Sequence, residues 1–377
     1  IIVASLSGDL APDEPTDRMV LARQIFAEPN VEIGSHTVLH PLRWDRDTYW
    51  YERMKRFDHD PVREVVDSIA FINRYLVPPD KPCRMMLWSG QCNPPVEAVR
   101  AATEAGCGNL NGGVFRWDAA SDSVGFVSPW GTFVGEAFQV YAGAANENEF
   151  EGFYDTMPGA FSHIDTTIER CGSPRILKPA NVYCHFYSAE RPARLAALRR
   201  LVQRWGVDEE TAPVFASRYC AAVRDAVYGA RVFRAGADRW LLRDMGACRT
   251  VRLDGEPRAV DFSASRGVVG ARRIDDQLYV ALSAPDAELV LADDPAPCPH
   301  LEQANHDVEQ VERSGSGLAW VASGSGPRVA VVAGLPPGVV TDVTIGAQAS
   351  TPRTGADGRL TLEWRQDEPV RVVVALP

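Results

Sequence analysis

The hydrophobic pattern of the chain changes near Gly236, and this change limits the folds that the chain can adopt. Before that point, strand-like segments alternate with segments of helical periodicity, as in "IIVASL" followed by "PTDRMVLARQIFAEP". After it, short runs of alternating character are separated by Gly, Pro, Asp and Ser, as in "RLTLEWRQDEPVRVVVALP". The first pattern predicts an α/β domain with a largely parallel sheet over residues 1–235. The second predicts an all-β sandwich over residues 236–377.

The clearest helix of the first part begins after Asp60. Val62, Val65, Ile69 and other apolar residues recur at helical spacing, with Asp60 placed to cap the helix and Pro61 at its first position. Further along, "CRMMLWSG" is typical of a strand and "PPVEAVRAATEAGC" of a helix. The segment "ANVYCHFYS" predicts another strand, followed by the helix "RPARLAALRRLVQRWG".

Composition excludes several classes of protein. The formal net charge is −11 and the arginines are scattered, which argues against a basic nucleic-acid-binding face. No apolar stretch approaches the ~20 residues of a membrane span. The 8 cysteines form no C-x-x-C pair, so neither a zinc ribbon nor a thioredoxin-type pair is indicated.

The chain begins at Ile1 inside an apolar run, and we therefore expect its natural amino end to be missing.

The stretch "VEIGSHTVLHP" contains two histidines, His36 and His40, four residues apart. Pro41 disfavours a helix there, so the pair is expected at the end of a strand that runs into a tight loop. Such a loop can bring two neutral imidazoles to one zinc ion, which also needs a third protein ligand and an open position for water. The alternative is that one histidine caps the loop and the other is exposed.

Other segments extend this motif into a family resemblance. "EIGSHTVLHP" resembles the zinc motif of polysaccharide deacetylases of the NodB type. "IFAEPNVEIGSHTVLHPLRW", "LWSGQCNPPVEAVRAATEAGCGNLNGG", "VGEAFQVYAGAANENEF" and "PRILKPANVYCHFYS" resemble the deacetylase region of the PelA-like enzymes. The resemblance covers nearly all of residues 1–235. It implies a NodB-type (β/α) barrel, incomplete here, followed by a carbohydrate-binding-like sandwich.

The resemblance also implies a function and a location. The family removes N-acetyl groups from an amino-sugar exopolysaccharide of the biofilm matrix, using zinc or another divalent transition metal. Its members are periplasmic or otherwise extracytoplasmic, so the export machinery of the polymer is an expected partner. Neither nucleic acid nor a membrane span is expected.

The resemblance implies a role for individual residues of this chain. His36 and His40 would be the metal ligands. His185, in "VYCHFYS", would be the general acid that gives a proton to the departing amine. The alternative for His185 is an inert core histidine among neighbouring aromatic residues.

Two further residues are candidates for contact with the polymer. Trp88 would stack on a sugar ring, although it could equally be a core residue. Asn111, in "NLNGG", would point into the site from a tight turn, or serve only that turn.

One element of the family pattern is absent. The aspartate that supplies a metal ligand and the general base lies on a first strand upstream of "IIVASLSGDLAP", and Asp9 is a poor replacement. We therefore expect the enzyme activity to belong to a longer parent protein and this chain alone to be inactive. The first rival hypothesis is an inactive polysaccharide-binding module that keeps the fold and the histidine pair. The second is a structural or adhesive protein in which both histidines are incidental.

Overall fold

The computed structural model describes residues 1–46, 48–51, 54, 57–111, 116–119, 121–127, 129–141, 161, 164–171, 178–208, 211–366 and 368–376. The chain forms two compact units. The first comprises Ile1–Glu209 and Phe215–Val223, and the second comprises Glu210–Val214 and Arg224–Pro377. The first unit mixes helices and strands, whereas the second consists mostly of strands.

The helices are concentrated in the first unit. The α-helices of the described residues are α1 (Asp17–Ala27), α2 (Pro61–Tyr75), α3 (Val96–Glu104), α4 (Ile164–Cys171), α5 (Pro192–Gln203) and α6 (Ala216–Tyr228). Short 3₁₀ turns span Val3–Ser5, Val124–Phe126 and Phe186–Glu190, and a π-helical turn spans Arg204–Asp208. No helix among the described residues combines the length and apolar character that crossing a bilayer requires.

Helix α2 begins where its sequence predicts. The Asp60 Oδ1 atom accepts hydrogen bonds of 2.9 Å from the amides of Val62 and Arg63, and Pro61 is the first helical residue. These bonds satisfy amide groups that have no partner within the helix. The face that carries Val65 and Ile69 is buried. The prediction of this helix, its cap and its buried stripe is confirmed.

The strands of the first unit form one sheet and one small hairpin. They are β1 (Gly34–Ser35), β2 (Pro41–Arg43), β3 (Thr48–Tyr49), β4 (Met85–Leu87), β5 (Gly108–Asn111), β6 (Gly131–Val134) and β7 (Ala137–Tyr141). The sheet has the order β1-β4-β5-β7-β6, and β2 pairs with β3. Strands β1, β4, β5 and β7 are parallel and β6 is antiparallel to β7. The predicted α/β character, with a largely parallel sheet, is confirmed.

Both faces of this sheet are covered, because successive residues of a strand point to opposite sides. Met86 packs in the cluster that contains the buried side chains of α1, α2 and α3. Its neighbour Met85 packs on the other side, against Tyr219, Cys220 and Val223 of α6. The carboxyl ends of the parallel strands are therefore left at one edge of a two-sided core.

Two segments predicted as strands adopt other conformations. Residues Val3–Ser5 form a 3₁₀ turn, although Ile1 still accepts a hydrogen bond from the His36 amide beside β1. Within "ANVYCHFYS", the backbone turns at Phe186–Glu190 and Ser188 N donates to His185 O over 3.0 Å. The strand prediction is wrong at both places, because β-propensity reflects packing against neighbours more than an intrinsic backbone preference.

The second unit is built from antiparallel strands. They are β8 (Arg231–Arg234), β9 (Arg239–Arg243), β10 (Thr250–Asp254), β11 (Ala259–Val260), β12 (Val268–Ile274), β13 (Gln277–Leu282), β14 (Ala287–Ala292), β15 (His300–Ala304), β16 (Asp307–Ser314), β17 (Gly317–Ser323), β18 (Pro327–Ala333), β19 (Asp342–Ile345), β20 (Gln348–Ser350), β21 (Leu360–Arg365) and β22 (Val370–Ala375). Their sheets have the orders β10-β13-β12, β11-β14-β9-β8, β15-β18-β21 and β16-β17-β22-β19-β20.

Two apolar cores hold these sheets together. One contains buried residues of β9, β11, β12, β13 and β14. The other joins β15, β18 and β21 to β17, β19 and β22 around Trp320, which is fully buried. The predicted predominance of strands in the carboxyl-terminal part is confirmed.

Candidate functional site

The residues singled out from the sequence lie along one edge of the parallel sheet. His36 follows β1 directly, Trp88 follows β4, and Asn111 is the last residue of β5. In open α/β sheets, ligands bind outside the carboxyl ends of the strands. The fold therefore places these three residues where a ligand site is expected.

His36 is held in a tautomer suited to a ligand. Its Nδ1 atom lies 2.7 Å from the carbonyl oxygen of Leu87, and because a carbonyl only accepts, Nδ1 must donate. The Nε2 lone pair then faces away from this bond. Burial, followed by the proximity of the His40 ring, lowers the pKa of His36 to about 3. The ring is therefore neutral at neutral pH, which a metal ligand must be.

His40 lies beside His36 at the end of a strained loop. The ring centroids of the two histidines are 4.8 Å apart with an interplanar angle of 71°. His40 and Thr37 have φ angles of 58° and 73°, and Thr37 Oγ1 accepts a hydrogen bond of 2.9 Å from the His40 amide. Positive φ is uncommon for such residues and points to a functional constraint. The loop thus turns both imidazoles to one place.

The Nδ1 atom of His40 completes the fit to a metal. It is buried and has no hydrogen-bond partner among the described residues. A buried polar atom without a partner costs free energy unless a ligand or water supplies one. Burial also lowers the pKa of His40. Together with His36 Nε2, this atom could provide two nitrogen ligands to a divalent transition metal.

A buried carboxyl group on α2 holds the loop in place. Glu64 is 0% exposed, and its Oε2 accepts hydrogen bonds of 2.7 Å from the Val38 amide and 3.0 Å from the Leu39 amide. Its Oε1 lies 3.4 Å from Nδ1 of His59. The loop between the two histidines is therefore anchored to a helix interior. Sequence reasoning missed Glu64, because its burial depends on the loop that packs over α2.

Two serines reinforce the same connection. Ser68 Oγ donates to Val65 O over 2.8 Å, so Ser35 Oγ, 2.6 Å from Ser68 Oγ, is the donor of their shared bond. Ser35 Oγ in turn accepts a hydrogen bond of 3.2 Å from the Thr37 amide. This relay connects the end of β1 to α2 one residue before His36.

His185 lies in a segment far along the chain from the other two histidines. Burial first, and to a smaller extent the charge of His185, lowers the pKa of both His36 and His40. The half-buried ring of His185 stacks on Tyr187 with centroids 4.7 Å apart and an angle of 9°. Its Nε2 lies 3.4 Å from the hydroxyl of Tyr183. The structure therefore places His36 and His40 side by side, and places the ring of His185 against Tyr183 and Tyr187.

Trp88 lies in the protein core. Only 3% of it is exposed, its Nε1 donates to Asn109 Oδ1 over 3.2 Å, and its ring meets that of Trp44 edge to face at 5.5 Å. These contacts agree with the alternative of a core residue. Its role in stacking on a sugar stays a prediction.

Asn111 is likewise buried, at 4% exposure. Its Nδ2 donates to Cys92 O over 2.6 Å and to Gln139 Oε1 over 3.3 Å. These bonds fix the loop after β4 to the end of β5. Contact between Asn111 and substrate also stays a prediction.

Trp50 is an aromatic residue of this site that sequence reasoning missed. It is 70% exposed, and its ring centroid lies 6.3 Å from that of His40 at an angle of 67°. Its amide donates to His40 O over 3.1 Å. No periodic pattern of the sequence distinguishes it, because its position depends on the hairpin of β2 and β3.

A third protein ligand is not found in the described part of the chain. Within the described ranges, no group of three His, Cys, Asp or Glu side chains is arranged to hold a metal ion. Asp9 Oδ1 accepts a 3.0 Å bond from the Ala11 amide, within its own turn. Parts of the resembling segments, at 112–113, 142–150 and 174–177, lie outside the described residues. No family model, curated protein or solved structure matches the chain, so the resemblance rests on its quoted motifs.

Proposed function

We propose that the chain belongs to a metal-dependent polysaccharide N-deacetylase, acting on a Pel-like amino-sugar exopolysaccharide of a biofilm matrix. In this proposal the first unit is part of a NodB-type (β/α) barrel, and the second is a carbohydrate-binding-like β sandwich. One observation carries the proposal. Two neutral imidazoles with available nitrogen atoms lie side by side at the carboxyl edge of a parallel sheet.

His36 and His40 would hold the metal through Nε2 and Nδ1 respectively. Zinc, or another divalent transition metal, would supply Lewis acidity that polarises the acetamide carbonyl and lowers the pKa of water. The chain's own contribution is to keep both rings neutral by burial and to fix their orientation. The Leu87 carbonyl orients His36, and the loop anchored by Glu64 orients His40.

His185 would act as the general acid. Hydrolysis of the acetamide forms a bond from a water oxygen to the carbonyl carbon and breaks the bond from that carbon to nitrogen. The departing amine nitrogen needs a proton, and a histidine is a suitable donor near neutral pH. The water must also lose a proton to a base, for which the family resemblance predicts an aspartate.

The proposed partners follow from the proposed substrate. Removing acetyl groups leaves amines, so the product polymer carries positive charge, which suits a protein of net charge −11. The enzyme would work in the periplasm or another extracytoplasmic space, beside the export machinery of the polymer.

The test is acetate release from an acetylated amino-sugar oligosaccharide with zinc present. We expect little release by the 377-residue chain and measurable release by a version extended at its amino end with the predicted aspartate-bearing strand. In the extended version, His185→Ala should lower kcat about 100-fold or more without loss of zinc. Unchanged kcat in that variant would contradict the role of His185. Activity in the chain alone would contradict the need for the aspartate.

A catalytically inactive polysaccharide-binding module is the second candidate. In this candidate the fold and the histidine pair are kept without the catalytic aspartate of the resembled family. It predicts oligosaccharide binding with no acetate release from either version of the protein. The same assay therefore separates the two candidates.

A further inference from the structure

We propose that Trp50 is the platform on which a pyranose ring of the polymer stacks, so that the 2-acetamido group of that ring lies over the imidazole pair. The proposal rests on the proposed function for the identity of the ligand. It assigns the aromatic contact to a residue outside the resembling motifs. Trp50 is 70% exposed, whereas Trp88 is 3% exposed.

The indole is exposed but its backbone is held firmly. Its amide donates to His40 O over 3.1 Å, and the next amide, of Tyr51, donates to Leu39 O over 3.3 Å. Strand β3 immediately before it pairs with β2, with Tyr49 opposite Pro41. The same loop that orients His40 therefore positions Trp50. Because the backbone of Trp50 is already held in place, binding a ligand there carries a smaller cost in conformational entropy.

The chemistry of the ring suits a sugar. The face of a pyranose presents C–H groups, and the negative face of an indole attracts their partial positive charge while apolar area is removed from water. A large exposed tryptophan is also the kind of residue that dominates binding energy in recognition sites. A single exposed apolar residue needs no explanation by itself. This one is 6.3 Å from a histidine with an unpartnered buried nitrogen.

A second exposed tryptophan, Trp130, is a less suitable stacking residue because of its position. Trp130 is 37% exposed and follows the 3₁₀ turn at Val124–Phe126 rather than the loop of His36 and His40. No ring contact joins it to these histidines among the described residues. Trp50 is consequently the residue from which a sugar reaches the imidazole pair directly.

Binding of N-acetylhexosamine pentamers by the 377-residue chain tests the proposal. The probes are pentamers of the gluco and galacto epimers, measured by isothermal titration calorimetry with zinc present. We expect Trp50→Ala to raise Kd about tenfold or more, and Trp50→Phe to raise it less because part of the stacking area remains. The control Phe133→Ala removes a 53% exposed aromatic from β6, at the opposite edge of the sheet from β1, and should leave Kd unchanged. Zinc content should be the same in all four proteins.

The outcomes separate this proposal from the proposed function. Wild-type Kd values in Trp50→Ala, or no binding of either pentamer by the wild type, would overturn the stacking role. If Trp50→Ala loses binding while no version of the protein releases acetate, stacking stands and catalysis fails. If acetate is released by the extended version but Trp50→Ala leaves Kd and KM unchanged, catalysis stands and stacking fails.

Discussion

Removing the carboxyl group of Glu64 should release the loop that carries the two histidines. Two loop amides, Val38 at 2.7 Å and Leu39 at 3.0 Å, donate to one oxygen of a side chain that is 0% exposed. In Glu64→Ala both amides lose their acceptor inside the protein, and a cavity replaces the side chain. In Glu64→Gln an oxygen of similar position remains.

The structure sets the size of these effects. Each buried amide left without a partner costs about 1–3 kcal/mol, so the loss of the acceptor for two amides in Glu64→Ala should destabilise the first unit by about 2–6 kcal/mol. Glu64→Gln keeps an acceptor and should cost about 1–2 kcal/mol. If the loop orients His40, zinc affinity should fall about tenfold or more in Glu64→Ala and less in Glu64→Gln.

Hydrogen exchange of peptides that contain residues 36–40 is the most direct assay, because it reports on the two amides themselves. Glu64→Ala should remove protection in this segment, whereas Glu104→Ala, a change at an exposed residue ending α3, should not. Urea unfolding of the same variants measures the change in the free energy of unfolding, and zinc titration measures the change in zinc affinity. Unchanged exchange in residues 36–40 of Glu64→Ala would refute the reasoning.

Three further predictions concern local stability. Trp320 Nε1 donates to His306 Nε2 over 3.2 Å, and burial, then the charge of Arg328, lowers the pKa of His306 to about 4. Between pH 6.5 and pH 4 the unfolded chain binds more protons at this residue than the folded chain does. Lowering the pH over this range should therefore reduce the free energy of unfolding by roughly 1–3 kcal/mol. Urea midpoints should show a smaller reduction in His306→Gln. Gly90→Ala should cost at least about 2 kcal/mol by thermal or urea unfolding, because φ is +59° and the new Cβ would lie 2.4 Å from Leu42 O. Asp60→Ala should cost about 1 kcal/mol and Asp60→Asn less, since only the alanine lacks an acceptor for the first-turn amides; equal midpoints for these two variants would contradict the capping role.

Patterns that depend on local chemistry were predictable from the sequence. Asp60 and Pro61 determine where α2 begins, and its apolar periodicity determines which face is buried. The same holds for the alternating runs of the second unit, whose ladders among the described residues are antiparallel. His36 and His40 were recognisable as candidate ligands because two histidines four residues apart precede Pro41, but the spacing by itself left an inert pair as an equal alternative.

Features that depend on distant contacts were not predictable. The aromatic content of "ANVYCHFYS" favours a strand, but the backbone turns into the 3₁₀ segment Phe186–Glu190. Trp88 was the stacking candidate of the sequence and Trp50 was missed, because the burial of one and the exposure of the other depend on the tertiary fold. Glu64 reads as a surface residue of an amphipathic helix, and only the path of the loop around residues 37–40 shows why a carboxyl group is buried there.

Zinc stoichiometry tests the central claim most directly. Equilibrium dialysis at pH 7 followed by metal analysis should find one zinc ion per wild-type chain. The metal should be lost in His36→Ala and in His40→Ala and retained in His306→Gln, a histidine variant of the second unit. A wild-type chain without zinc, or zinc retained in both His36→Ala and His40→Ala, would contradict the assignment of these two histidines as metal ligands.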